Sequence, residues 1–239
     1  MIEIKNLTKK FDQKTILNDM SFKVEKNQVL VVLGESGAGK SILLKSIIGL
    51  IKPTGGSVLI EGNVVSEIKF KELQNIRSKI GMVFQFGALI DSLSVKDNIL
   101  LALKNLTNLD ERETSSRLKN VLQQVGLNNN EDLMPSDLSG GMKKRAGIAR
   151  AICYKPDYLL FDEPTSGLDP ISSESIIKLI KKVCLDSTSI IVTHDLKIAR
   201  LIADQILMIK DGSKMFEGSR NDFFLSDNSF IKKFINSAN

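Results

Sequence analysis

Eight residues, GESGAGKS from Gly34 to Ser41, constrain this chain more than any other stretch. Gly34, Glu35, Ser36, Gly37, Ala38, Gly39, Lys40 and Ser41 satisfy the phosphate-loop pattern G-x-x-x-x-G-K-[ST] in full. A continuous apolar run, Val29 to Leu33, precedes them. It reads as a buried parallel strand feeding a glycine loop. A helix from Lys40 to about Gly49 should follow. The three glycines permit backbone angles that side chains forbid. The loop can therefore turn its N–H groups inward around phosphate oxygens. Lys40 would place a positive charge near the outer phosphates, and Ser41 a hydroxyl on Mg²⁺.

Two further motifs belong with a phosphate. YLLFDEP, Tyr158 to Pro164, is an apolar strand with two adjacent carboxylates at its C-terminal end, where α/β sheets place their ligands. Asp162 is the expected Mg²⁺ partner. Glu163 is the candidate general base or water-positioning residue. A DE pair after a strand is in isolation a surface feature; downstream of a phosphate loop the balance reverses. LSGGM, Leu138 to Met142, places Ser139 as a helix cap, with Gly140 and Gly141 leaving the first amides bare. Such an end is itself an anion site.

The rest of the chain alternates in character. Ile2, Ile4 and Leu7, then Ile16 with Leu17, then Phe22 with Val24, suggest short strands at the start. From about Ser94 to Ile152 the pattern is helical. Asp110 caps a helix that runs to Val125 and stops at Gly126, and Ser139 caps another. The α/β pattern then resumes. Asp169 and Pro170 form an N-cap with proline in first helical position. Ser189 to Val192 is a buried strand. Asp211-Gly212 joins Gln205–Lys210 to Ser213–Glu217 as a hairpin. Phenylalanines and isoleucines from Asn221 to Asn239 suggest short amphipathic helices.

A net charge of +5 raises nucleic acid or an anionic surface as partners. The lysines are scattered, with only Lys143, Lys144 and Arg145 in a short cluster, and aromatics are 5% of residues. A mildly basic surface is the better reading, and stacking platforms for bases are poorly supplied. No stretch reaches the roughly 20 apolar residues of a membrane span. Nor does the N-terminus carry a signal-type apolar core. Cys153 and Cys184 sit among apolar neighbours and read as small core residues.

Taken together and in this order, the phosphate loop, the LSGG signature, the DE-ending strand and a strand-end histidine, His194 in SIIVTHD, resemble the ATP-binding cassette (ABC) ATPases. The resemblance spans nearly the whole chain. It implies one α/β domain over residues 1–239. That domain would have a P-loop NTPase core, an N-terminal antiparallel β subdomain, a helical subdomain insert at about 94–152 and an amphipathic tail at about 220–239. It further implies that Phe11 stacks on adenine and that Gln85 contacts Mg²⁺ and the attacking water, in a loop facing the membrane partner. His194 would contact the γ-phosphate. Ser166 to Asp169 would cross a dimer interface. Two chains would close head-to-tail over ATP and Mg²⁺, the phosphate loop of one meeting the signature of the other, to drive integral-membrane permease subunits.

The wording FGALIDSLSVKDNI after Gln85, LSGGMKKRAGIARAI, FDEPTSGLDP and the tail FFLSDNSFIKKFIN are similar to the cassette subunit of Mla-type, MCE-associated phospholipid transporters. That resemblance implies the cytoplasmic face of a bacterial inner membrane. It also implies an MCE-domain lipid-binding protein and a small accessory subunit as further partners, with no nucleic acid. The lipid would touch partner subunits, not this chain. Two alternatives stand beside it: a cassette serving another cargo, such as an amino acid or a lipoprotein, and a cassette protein of nucleic-acid metabolism.

Overall fold

The computed structural model describes residues 1–237, so Ala238 and Asn239 of the predicted tail lie outside it. The chain forms two compact units. One holds residues 1–77 with the chain from 186 onward, the other residues 78–185.

The first unit opens with β1 (Ile2–Phe11) and β2 (Lys14–Val24), antiparallel, with Ile2 opposite Val24. These are two long strands, not the several short ones that the apolar spacing suggests. The step from Ile4 to Leu7 breaks strict alternation. Register shifts between Ile4 and Leu7 and again near Lys9 absorb the extra residues, and Asn6 takes φ 48° there. Bulges of this kind return side chains to the buried face: Ile2, Ile4, Leu7, Leu17 and Met20 are all buried.

Next come β3 (Val29–Leu33), buried at every position, and α1 (Lys40–Ile47). The helix stops just short of Gly49, which takes φ 68° and ends it from the C′ position. β4 (Gly55–Ile60) and β5 (Asn63–Val64) complete an antiparallel sheet of order β2-β1-β4-β5. The sheet matches the antiparallel subdomain expected from the family resemblance. α2 (Phe70–Arg77) has no counterpart in the sequence reading: its apolar residues Phe70, Leu73 and Ile76 recur every three positions over only two turns, and of its residues only Ile76 is buried.

The second unit begins with β6 (Ile80–Val83), then α3 (Val95–Leu106), α4 (Glu111–Val125), a 3₁₀ turn at Pro135–Asp137, and α5 (Gly140–Ile152). Asp110 and Glu113 form a reciprocal capping box on α4, and Gly126 closes it at φ 69°, as the sequence signals require. β7 (Tyr158–Asp162) pairs parallel with β6, Val83 opposite Phe161. Asp169 caps α6 (Pro170–Val183) by accepting from the Ile171 and Ser172 amides, both at 3.0 Å.

The chain then returns to the first unit through β8 (Thr188–Thr193), α7 (Leu196–Ile202), β9 (Gln205–Lys210), β10 (Ser213–Ser219), α8 (Arg220–Phe224) and α9 (Ser229–Ser237). β3 lies between β8 and β9, parallel to both, and β10 folds back on β9. Asp211 and Gly212 both have positive φ, the requirement of a two-residue type I′ hairpin turn. The tail is anchored by Phe223, edge-on to Phe216 at 5.4 Å, and by buried Ile231. Cys153 and Cys184 are both buried, and burial pushes the Cys153 thiol up to about 12, as befits a core residue.

One close contact fixes α5 in its unit. A Cβ on Gly147 would meet the Gly87 Cα at 2.9 Å and its carbonyl oxygen at 3.1 Å. In an open helix Gly147→Ala would stabilise by about 1 kcal/mol. Against unyielding backbone, overpacking costs about 1–3 kcal/mol. The variant is therefore expected to melt several degrees lower in a thermal denaturation scan, at roughly 2–4 °C per kcal/mol for a chain of this size. A raised Tm would contradict the contact.

Candidate functional site

The phosphate loop begins where β3 ends. A Cβ on Gly34 would approach the Ile209 carbonyl oxygen to 2.7 Å, so only glycine leaves β3 and β9 in register here. Gly37 and Gly39 take φ 83° and 96°, left-handed angles that turn successive amides to one side. Glu35, Ser36 and Gly37 are exposed at the tip, while Ala38, Gly39 and Lys40 are buried. The Glu35 carbonyl accepts from the Ala38 amide at 3.2 Å and closes the turn. Gly39 caps α1 without a side chain, so no residue's oxygen competes there for the first amides. Lys40 runs back into the loop, its Nζ donating to the carbonyls of Gly34 at 2.8 Å and Glu35 at 3.0 Å. Ser41 follows, half-buried on the first turn.

His194 belongs to the same unit. Leu33 is the partner of Thr193 in the β3–β8 ladder, so Gly34 and His194 leave neighbouring strands at the same level. Strand spacing puts these backbones about 4.8 Å apart. Thr193 Oγ1 accepts from the Asp195 amide, and Asp195 caps α7 through the Lys197 amide, which holds the turn around the exposed imidazole. Phe11, at the end of β1, is 45% exposed with Lys9 Nζ 4.7 Å from its ring centroid. An exposed aromatic face beside a cation suits stacking on a base.

The second unit holds the remaining set. β7 ends on Asp162, which is buried, and Glu163 follows, buried and at φ 45°. A left-handed angle at a non-glycine residue costs about 1–3 kcal/mol. Burying a single large apolar side chain contributes about as much, and Leu160 and Phe161 just before it are wholly buried. Gln85 lies two residues beyond the end of β6, half-buried, with Phe86 exposed after it. At the signature, Leu138 is buried, and Ser139 Oγ accepts from the Met142 amide at 3.3 Å. Gly140 is exposed, and a Cβ there would touch Leu168 at 3.4 Å. Asp169 is exposed, and its bonds to the Ser172 hydroxyl and to the Ser172 and Ile171 amides hold its carboxyl below the usual range. The predicted residues thus fall into two sets. The phosphate loop, Phe11 and His194 lie in the first unit. Gln85, Asp162, Glu163, Leu138 to Gly141 and Asp169 lie in the second.

Sequence reasoning missed one residue. Lys144 reads as part of a basic surface cluster, yet it is buried. Its Nζ donates to the carbonyls of Gln85 and, at 3.0 Å, Glu163. Burial lowers its pKa to about 8, partly offset by the carboxylates of Glu163 and Asp162. Arg145 is likewise engaged, donating to the Val125 carbonyl. The available signal was the helical period of α5, which turns position 144 inward with Ile148 and Ala151.

The loop fits a polyphosphate: uncapped helix amides, left-handed glycines and a cation within the loop. For a metal, the described residues contain no cluster of three His, Cys, Asp or Glu side chains. Mg²⁺ takes hard oxygen donors, with phosphates and water completing its shell.

The family model described as ABC transporter matches residues 17–166. The chain belongs to the ABC transporter family. It is an ATPase of a membrane transporter, with hydrolysis coupled to transport. Among the described residues no helix is long and apolar enough to cross a membrane. The "Probable ribonucleotide transport ATP-binding protein mkl" of Mycobacterium leprae is 40% identical over 98% of this chain and 68% of its own length. The intermembrane phospholipid transport system ATP-binding protein MlaF of Haemophilus influenzae is 38% identical, over 98% of this chain and 90% of its own. The methionine import ATP-binding protein MetN of Histophilus somni is 37% identical, over all of this chain and 71% of its own. Among solved structures, the dimeric bacterial ABC transporter cassette MJ0796 superposes with a TM-score of 0.86 at 33% identity, covering 92% of this chain and 99% of that one. Its post-hydrolysis state bound to ADP and Pi gives 0.85.

Lys40→Ala removes the cation held within the loop of this cassette. A hydrogen bond to a charged group contributes about 1.5–3 kcal/mol, and each 1.4 kcal/mol is tenfold in affinity. ATP affinity is therefore expected to fall about tenfold or more in a fluorescent-nucleotide titration. Unchanged affinity would refute that role for Lys40.

Proposed function

We propose that this cassette powers phospholipid transport between membranes, as the ATP-hydrolysing subunit of an Mla-type transporter on the cytoplasmic face of a bacterial inner membrane. The observation that carries the reading is the segment after Gln85. There the sequence is similar to the Mla-type subunit through FGALIDSLSVKDNI, and the structure leaves Phe86 and Ile90 exposed. An exposed apolar edge beside a hydrolytic residue suits a permease contact that senses hydrolysis. MlaF as a relative supports it. An MCE-domain protein and a small accessory subunit would complete the complex. The comparable identity of MetN favours a second reading, import of an amino acid.

The mechanism we infer is positioning and charge stabilisation of an in-line attack by water. Phe11 stacks the base. The amides from Gly34 to Ser41 and the Lys40 ammonium hold the phosphates. Ser41, Asp162 and Gln85 would hold Mg²⁺, which supplies charge neutralisation on the phosphate oxygens. Gln85 orients the water and Glu163 accepts its proton as oxygen bonds to the γ-phosphorus. The bond to the β-phosphate oxygen breaks, and His194 donates to the departing phosphate. Leu138, Ser139, Gly140 and Gly141 of a second chain, with Asp169 near the seam, close over the nucleotide. The dimeric form of MJ0796 supports that arrangement.

The test is purification of the cassette with its bound membrane subunits and reconstitution into vesicles. ATP-dependent transfer of a fluorescent phospholipid to or from an acceptor is expected, with no ATP-dependent uptake of methionine. Methionine uptake without lipid transfer would establish the second reading instead.

A further inference from the structure

The two residues assigned to the attacking water, Gln85 and Glu163, both lie just past the ends of paired strands, where the ladder no longer fixes the backbone. Glu163 also adopts a left-handed angle that an L-residue rarely takes unaided. Within the turns the Glu163 carbonyl accepts from the Ser166 amide at 3.2 Å and the Phe84 carbonyl from the Gly87 amide at 2.9 Å, and one helix adds contacts that reach both. Lys144 Nζ reaches the carbonyls of Gln85 and Glu163 together. One turn on, Gly147 lets α5 approach the Gly87 backbone. A further turn on, Arg150 donates to the carbonyls of Ala88 at 2.7 Å and Gly87 at 3.1 Å. Residues 144, 147 and 150 recur every three positions and so share one side of the helix. The same helix starts at Ser139, the signature cap.

The choice of an ammonium is informative. An apolar side chain of equal length would fill the space without the cost of burying a charge. What the lysine adds is up to three donors at a single point, and two of them meet the backbone carbonyls of Gln85 and Glu163.

We propose that Lys144 is a positioning residue for hydrolysis, tying the Gln85 loop and the Glu163 turn to each other and to the signature helix. Its contact is with their backbone, so it sets where the Gln85 amide and the Glu163 carboxylate point without touching ATP. A helix that carries the signature at one end and holds both water-directing residues near that end links closure over nucleotide to alignment of the attack. The inference rests on the assignment of Gln85 and Glu163 to the hydrolytic step.

The experiment is steady-state ATPase kinetics on the full chain with Lys144→Met, Lys144→Gln and Glu163→Gln, alongside ATP affinity and Tm. Misplacement of a catalytic group by about 1 Å costs on the order of 100-fold. Lys144→Met is expected to lower kcat about 10- to 100-fold with KM and ATP affinity within about twofold of wild type. Lys144→Gln keeps two N–H donors on a shorter reach, so its kcat should fall between the two with KM again unmoved. Wild-type kcat in Lys144→Met, with Glu163→Gln inactive, overturns the proposal. Should Lys144→Met not fold, a loss in Lys144→Gln that resides in KM and not in kcat overturns it equally. Full turnover in Glu163→Gln would instead remove the assignment beneath it.

Discussion

Buried parallel strands that end at the same level are the constraint on which this cassette depends. A phosphate loop works only if its amides converge to within tenths of an ångström, and a loop cannot impose that on itself. β3 imposes it, with five buried side chains and a neighbour on each side. Its pairing with β8 sets His194 level with Gly34, and the pairing of β6 with β7 does the same for the Gln85 loop and Asp162. Hydrolysis needs several weak devices aimed at one phosphorus, and strand ends are the stiffest points from which to aim them.

Much of this is legible in the sequence because the demands are local. Gly34, Gly37 and Gly39 answer backbone needs that few other residues meet. Asp110 with Gly126, Asp169 with Pro170, and Asp211 with Gly212 each carry their own turn chemistry, and the structure places a cap, a helix start and a hairpin at them. What was not legible depends on partners distant in sequence. β2 reads as two fragments, at Ile16 with Leu17 and at Phe22 with Val24, because its continuity is settled by pairing with β1 across the bulges. α2 rests on the single buried residue Ile76. Lys144 looks like one basic surface residue among three, since its acceptors lie 59 and 19 positions away.

The sequence reads as carrying two phosphate-binding devices, the Gly34–Ser41 loop and the Ser139 helix end, about a hundred residues apart. An enzyme acting alone needs one. Two make sense if each completes the other's counterpart in a second copy. Substrate binding is then the event that joins two chains, and hydrolysis the event that parts them. The signature helix, docked through Lys144, Gly147 and Arg150 onto the hydrolytic loops, is the element through which closure would be felt by the attacking water. The exposed Phe86 edge next to Gln85 would pass the same movement to a permease.

Mixing two disabled chains tests that central claim most directly. Lys40→Ala disables the phosphate loop and Ser139→Arg the signature, each inactive by itself. In a head-to-tail dimer the mixed pair holds one site with both defects and one with neither. ATP turnover is then predicted to reappear on mixing, up to about a quarter of wild type when half of the dimers are mixed. A mixture no more active than its two components would contradict the account and place both phosphate devices at work within a single chain.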